Sequence, residues 1–442
     1  MSKPVAAIVG MPNVGKSTLF NRLVGRRVSI VEDTPGVTRD RIYAETEWNG
    51  LSFLLVDTGG IDHSSDEIIP SKMRAQADVA IDSADVIIFI VDGKAGLTSA
   101  DREIGQLLQK RAKHVILTVN KSDKSTLPDS YYDFYELGLG DPVAVSAANM
   151  LGLGDLLDRV VENFPESQED DEEEEDIKIA VIGRPNTGKS SLVNAITGEE
   201  RVIVSNIAGT TRDSIDLPFE YEEQKYTLID TAGIRRKKNV DENIEKYSII
   251  RSISAIERSD VCVLMIDAVE GVTEQDKKIG GMAHDAGKGV IIAVNKWDLI
   301  EKDNHTMSKF TQDVRRELSF MPYAKLLFIS ARTNQRLLNV LMEAKAVAEH
   351  RALRISTGKL NAILEDARMM KQPPSDKGKQ LKIYYATQVG VKPHLFSFQV
   401  NKRDLMHFSY SRYLENKLRE AFDFSGTSVK FVFREKGEKD LG

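Results

Sequence analysis

Short, nearly unbroken apolar runs recur along the chain, separated by longer mixed stretches. V-A-A-I-V-G at 5–10, L-S-F-L-L-V-D at 51–57, D-V-I-I-F-I-V-D at 85–92, H-V-I-L-T-V-N at 114–120 and P-V-A-V-S at 142–146 each have the length and β-branched content of one buried strand. Apolar residues at successive rather than alternate positions mean that both faces of the sheet are covered. The intervening stretches are amphipathic and supply that cover. The alternation predicts an α/β architecture, a mainly parallel sheet with helices on both faces.

The pattern then returns. V-A-A-I-V-G-M-P-N-V-G-K-S-T-L-F-N at 5–21 comes back as I-A-V-I-G-R-P-N-T-G-K-S-S-L-V-N at 179–194. G-V-T-R-D at 36–40 comes back as G-T-T-R-D at 209–213, and D-T-G-G-I at 57–61 as D-T-A-G-I at 230–234. N-K-S-D at 120–123 and S-A-A at 146–148 reappear as N-K-W-D at 295–298 and S-A-R at 330–332. Five motifs in one order twice define a duplicated domain. The expected organisation is a first domain over 1–166, a linker over 167–176, a second domain over 177–350 and a different domain over 351–442. The linker contains E-D-D-E-E-E-E-D, a self-repelling run that reads as solvated and flexible, or alternatively as a docking surface. In the last domain the pattern predicts a helix near 359–371, strands over 381–387 and 395–401, a helix near 410–422 and a strand over 428–433. That is a small α+β unit.

Each motif falls at the C-terminal end of a predicted strand, where open α/β sheets bind ligands. G-x-x-x-x-G-K-S covers Gly10, Met11, Pro12, Asn13, Val14, Gly15, Lys16 and Ser17, with Thr18 next; the second copy covers Gly183, Arg184, Pro185, Asn186, Thr187, Gly188, Lys189 and Ser190, with Ser191 next. Such a loop turns a strand into a helix so that backbone N–H groups surround phosphates at the helix N-terminus. Lys16 and Lys189 are expected on the β and γ phosphates, and Ser17 and Ser190 on Mg2+. Thr38 and Thr211 are placed to ligate Mg2+ only while the γ-phosphate is present, and Asp57 and Asp230 to hold the metal through water. Thr58, Gly59, Gly60 and Ile61, with Thr231, Ala232, Gly233 and Ile234, complete these segments; the N–H of Gly60 and of Gly233 would bond the γ-phosphate. N-K-x-D chooses the base, because the Asp123 or Asp298 carboxylate can accept two parallel hydrogen bonds from N1–H and the exocyclic amine of guanine. Asn120 and Asn295 brace the loop, Lys121 and Lys296 cover the base, and Ser146-Ala147 and Ser330-Ala331 close its pocket.

Charge and composition narrow the partners. Net charge is −7, yet residues 351–442 carry eighteen Lys or Arg against ten Asp or Glu, so a basic tail follows an acidic body. That raises a nucleic-acid partner. The single cysteine, Cys262, lies in an apolar run and reads as a core thiol, which excludes a disulfide framework. No apolar run approaches the roughly 18 residues that span a bilayer. The N-terminal run leads into a glycine loop and reads as a strand rather than a signal peptide. A cytoplasmic protein with no membrane partner, monomeric when free, is expected. The seven histidines, among them His63, His114 and His394, lack metal-ligand spacing and read as surface or core.

These motifs, the acidic run and the stretch Q-L-K-I-Y-Y-A-T-Q-V-G-V-K-P at 380–393 resemble, over nearly the whole chain, the bacterial tandem GTPase family Der, also called EngA. The resemblance implies two GTPase domains followed by a KH-like domain, and a role in assembly of the large ribosomal subunit through its rRNA. No G-x-x-G loop follows residue 351, so the usual KH grip on single-stranded RNA is not expected; S-D-K-G-K-Q at 375–380 could contact phosphates instead. Ile61 and Ile234 stand where other GTPases keep a water-orienting glutamine. In relatives the asparagine of P-N-x-G-K-S helps hold a potassium ion, and Asn13 and Asn186 match it; the alternative is that each only shapes its loop. The catalytic set so implied is Asn13, Lys16, Thr38 and Gly60, with Asn186, Lys189, Thr211 and Gly233. R-R-K-K at 235–238 has no basic counterpart after Ile61 and reads either as solvated surface or as a run that meets RNA or a neighbouring domain. Two other readings stay open: a GTP-dependent RNA-modifying enzyme, and a scaffold that does not hydrolyse.

Overall fold

The computed structural model describes residues 3–24, 43–58, 77–78, 80–112, 114–123, 129–165, 176–199, 201–204, 216–231, 252–376 and 379–435. Thr38, Gly59, Gly60, Ile61, Thr211, Ala232, Gly233, Ile234, R-R-K-K and His63 lie outside them, as do all but the last residue of the acidic run and two residues of S-D-K-G-K-Q.

The first compact unit is organised by a six-stranded sheet. Its strands are β1 (Val5–Gly10), β2 (Tyr43–Trp48), β3 (Leu51–Asp57), β4 (Val86–Asp92), β5 (Val115–Asn120) and β6 (Val143–Ala144), in the order β2-β3-β1-β4-β5-β6. All pairings are parallel except the β2–β3 hairpin. Ala6, Ile8, Ile88 and Ile90 point to one face. There they pack with Leu19, Phe20 and Leu23 of helix α1 (Lys16–Val24) and with Leu153, Leu156, Leu157 and Val160 of a later helix over Leu153–Glu162. Ala7, Val9, Ile87, Phe89 and Val91 alternate with them and are equally buried, as the unbroken apolar runs require. Helix α2 (Ser99–Arg111) starts at a capping box: the Thr98 hydroxyl accepts from the Asp101 N–H at 3.2 Å, and the Asp101 carboxylate accepts from the Thr98 N–H at 3.0 Å. The helix over Leu153–Glu162 is α3.

The second unit repeats this plan on seven strands. They are β7 (Ile177–Ile182), β8 (Ile203–Val204), β9 (Leu217–Tyr221), β10 (Gln224–Ile229), β11 (Val261–Asp267), β12 (Gly289–Asn295) and β13 (Lys325–Phe328), ordered β13-β12-β11-β7-β10-β9-β8. Helix α4 (Lys189–Thr197) follows β7; α5 (Glu274–Asp285), with the same capping box from Thr273 and Asp276, follows β11. Helices α6 (Thr306–Glu317) and α7 (Leu337–Arg351) come later. Cys262 is a buried thiol in β11, 3.4 Å from the Ser259 hydroxyl. Asp176, the last acid of the run before β7, accepts from the Thr227 hydroxyl of β10.

After α7 come α8 (Thr357–Met370), a β14–β15 hairpin (Ser375–Asp376, Lys379–Gln380), β16 (Ile383–Gly390), β17 (His394–Val400), α9 (Phe408–Ala421) and β18 (Val429–Glu435). β17 pairs antiparallel with β16 and parallel with β18. Phe396, Phe398 and Val400 alternate along β17 and form one core with Leu360 and Leu364 of α8 and Leu414 and Leu418 of α9. A seam joins this subdomain to the seven-stranded one within the same unit. The Val290 N–H donates to the Gly426 carbonyl at 2.7 Å, and the Gly426 N–H to the Tyr323 carbonyl at 2.9 Å. His394, fully buried in β17, contacts the His350 carbonyl of α7 at 3.0 Å.

Candidate active site

β1 ends at Gly10, and the chain crosses Met11-Pro12-Asn13-Val14 before α1 starts at Lys16. Asn13 at φ 65° and Gly15 at φ 102° take left-handed backbone, and the Lys16 ammonium donates to the carbonyls of Gly10 at 2.7 Å and Met11 at 2.8 Å. The second copy matches. Asn186 has φ 64° and Gly188 φ 98°, and the Lys189 ammonium donates to Gly183 at 2.6 Å and Arg184 at 2.7 Å. Pro12, Asn13, Ser17 and Thr18 are exposed, as are Asn186 and Ser191, whereas Val14 and Thr187 anchor the loops in the interior.

The asparagines of N-K-x-D lace three segments together. Asn120 donates through Nδ2 to the Val14 carbonyl at 2.7 Å and accepts through Oδ1 from the Ala147 N–H at 3.0 Å. Asn295 does the same with Thr187 at 2.8 Å and Ala331 at 2.9 Å. This explains the glycine before each lysine: a Cβ on Gly15 would lie 2.4 Å from Asn120 Nδ2, and one on Gly188 2.2 Å from Asn295 Nδ2. Phosphate loop and base loop are therefore one hydrogen-bonded piece in each copy.

Lys121 and Lys296 also have left-handed backbone, φ 65° and 63°, and their ammonium groups pair with Asp92 and Asp267 at the ends of β4 and β11. Burial raises the pKa of both carboxylates. The lysine and the N–H groups of the following turn, Lys94 and Ala95 in the first copy and Val269 in the second, outweigh it and hold them below the ordinary range. Asp57, at the end of β3, is buried, and the neighbouring Thr58 hydroxyl bonds the Ile8 carbonyl at 2.5 Å. Asp230 instead has φ 57°, and its N–H donates to Asp216.

The two aspartates of N-K-x-D differ. Asp123 Oδ1 accepts from the Ser146 hydroxyl at 2.7 Å and from Asn149 at 3.3 Å, while Lys94 bonds Oδ2 at 2.5 Å. Lys94 first and Ser146 second hold Asp123 below the ordinary carboxylate range. Asp298 Oδ1 is buried without a hydrogen-bond partner among the described residues. Sequence reasoning missed Lys94 and Asn149, and it placed Arg184 in the second loop without its pairing to Glu270 at 2.5 Å and to Asp276 at 3.4 Å. Aligning D-G-K-A-G at 92–96 with D-A-V-E-G at 267–271 would have exposed the Lys94 and Glu270 differences.

Two family models cover most of the chain. One, described as the 50S ribosome-binding GTPase, matches twice, over 5–121 and 178–296. The other, the KH-domain-like C-terminal part of EngA bacterial GTPase enzymes, matches 354–434. Curated relatives align end to end: GTPase Der of Alkaliphilus metalliredigens is 59% identical over 440 residues, with 100% of each chain covered. The chain belongs to the GTPase Der family. GTPase Der of Clostridium novyi is 58% identical over 438 residues, 99% of this chain and 100% of its own. Among solved structures, the FeoB G-domain of Methanococcus jannaschii is 26% identical, spans 37% of this chain and 98% of its own, and has a TM-score of 0.28. Like other Der proteins the chain is a GTPase, with two P-loop GTPase domains and a KH-like C-terminal domain.

Proposed function

We propose that both sites bind and hydrolyse GTP, and that this Der protein acts in the cytoplasm, as a monomer when free, in assembly of the large ribosomal subunit on its rRNA. The observation that carries the reading is the twofold lacing of Val14 and Thr187 to the base loops by Asn120 and Asn295. It supports Asp123 and Asp298 as guanine readers and Ser146-Ala147 and Ser330-Ala331 as the pocket wall; the domain limits near 166, 177 and 350 are part of the same proposal. When nucleotide binds, Lys16 and Lys189 exchange their loop carbonyls for phosphate oxygens, and the loop N–H groups take the remaining oxygens. Thr38 and Gly60, and Thr211 and Gly233, would then be drawn in by the γ-phosphate and released on its loss, so each site switches its own loops.

The donors for a divalent ion are a serine hydroxyl in the first turn of α1 or α4, a carboxylate at or just beyond the end of β3 or β10, and a threonine. This all-oxygen set suits hard Mg2+. Mg2+ held by Ser17, Thr38 and Asp57, and by Ser190, Thr211 and Asp230, supplies charge neutralisation at the phosphates. Ile61 and Ile234 cannot polarise water, so transition-state charge has to be met electrostatically. The side-chain carbonyls of Asn13 and Asn186, in exposed left-handed turns, suit K+ in that role.

Binding to purified large ribosomal subunits in the GTP, GDP and nucleotide-free states tests the reading. Nucleotide-dependent binding is expected; identical binding in all three states would refute the switch.

A further inference from the structure

The two copies share the turn after β4 and β11. In each, the aspartate at the strand end takes the following lysine of N-K-x-D on Oδ2 and the N–H two residues on at Oδ1, at 2.9 Å in both copies. What differs is the side chain that this turn presents. It is Lys94 in the first copy and Val269, 59% exposed, in the second. Lys94 reaches Asp123 Oδ2 at 2.5 Å; Val269 offers no side-chain donor, and Asp298 keeps an Oδ1 without a partner among the described residues.

We propose that Lys94 is a built-in competitor for the guanine base, which sets the nucleotide threshold of the first site above that of the same pocket without it. The proposal rests on the reading of Asp123 as the guanine acceptor. Guanine needs both carboxylate oxygens, one for N1–H and one for the exocyclic amine. Oδ1 already carries Ser146 and Asn149, and Oδ2 carries the lysine. Every binding event at the first site therefore breaks an ion pair, whereas among the described residues no such pair stands at the corresponding position of the second. The lysine side chain is 64% exposed, so it swings into water without unfolding anything, and the expected penalty is that of a surface pair, about three- to fivefold in affinity. The effect belongs to the base edge and not to the phosphates. Inosine nucleotides, which lack the exocyclic amine, should feel it less.

The test uses the full chain with its second site silenced by Lys189→Ala, and GDP and IDP as probes. Lys94→Met keeps the stem and removes the charge. Tighter GDP binding by about three- to fivefold, a smaller gain for IDP and convergence with the parent as salt rises support competition. The converse variant, Val269→Lys in a chain silenced at Lys16, should weaken GDP at the second site by a similar factor. Unchanged or weaker GDP binding in Lys94→Met overturns the proposal. Asp123→Asn in the same background separates the two failures. If it leaves GDP affinity intact, the base reading falls and the competitor with it; if it removes GDP binding while Lys94→Met changes nothing, only the competitor falls.

Discussion

His394 offers a quantitative test of the seam in the second unit. Its Nδ1 faces Gln388 Nε2 at 3.1 Å, and that amide is fixed in orientation: Oε1 accepts from the Ile355 N–H at 2.6 Å and Nε2 donates to the Leu353 carbonyl at 3.1 Å. The amide therefore donates to Nδ1, so the ring is neutral and Nε2–H points at the His350 carbonyl. Burial pushes its pKa down, the His350 carbonyl opposes, and Arg419 and Arg351 add to the depression, leaving it at about 4. An unfolded histidine titrates near 6.5. A base with a depressed folded pKa contributes its full stability above 6.5 and loses it as pH falls from 6.5 towards 4. Linkage gives a loss of about 2 kcal/mol at pH 5, or roughly thirtyfold in the opening equilibrium. The amides of Val290 and Gly426 cross the seam and report that opening by hydrogen exchange, corrected for intrinsic rates. Between pH 7.5 and 5 their protection should drop about thirtyfold more in the wild type than in His394→Gln. Equal drops, or an imidazole NMR titration with its midpoint near 6.5, would refute the buried neutral ring.

Other consequences are direct. Gly188→Ala puts a methyl against Asn295 Nδ2 and strains a backbone at φ 98°, so nucleotide binding at the second site should be lost with folding retained; Gly271→Ala, at φ 74° in open space, is the control for backbone strain alone. Asp298→Asn should turn that site from GTP towards xanthosine triphosphate, whose base offers an acceptor where guanine has its amine, and unchanged GTP affinity in equilibrium titration would remove Asp298 from the base pocket. GTP turnover should be much faster in potassium chloride than in sodium chloride at matched ionic strength, and Asn13→Ala with Asn186→Ala should abolish the difference. Equal rates in the two salts would assign the missing charge to a protein or ribosomal group.

The parallel sheets and both phosphate loops were legible because their signals are local: unbroken apolar runs, and a glycine loop directly after the strand. The edge strands were not. Y-A-E-T-E-W buries only Thr46, and β8 is only Ile203 and Val204, paired with Glu220 and Phe219 of β9, so neither has the length of a strand-forming apolar run. In the last domain the predicted helices and strands match α8, β16, β17, α9 and β18 to within a few residues, because β17 alternates strictly around Phe396 and Phe398. Long-range pairings were invisible. Nothing local marks Lys94 as reaching across to Asp123, or His394 as lying beneath the carbonyl of His350.

The turn at Gly426 also bears on the order in which the chain can finish folding as it is made. Its carbonyl receives the Val290 N–H of β12, its N–H bonds the Tyr323 carbonyl, and a Cβ there would lie 2.3 Å from Val347 of α7. A nascent chain that has emitted every strand of the second GTPase sheet still lacks the partner for those groups and the cover for that valine. The second unit stays incomplete until residues near 426 have left the exit tunnel. For the same reason, a fragment ending at residue 350 would present an open, adhesive flank, and its behaviour would not report on the intact second domain.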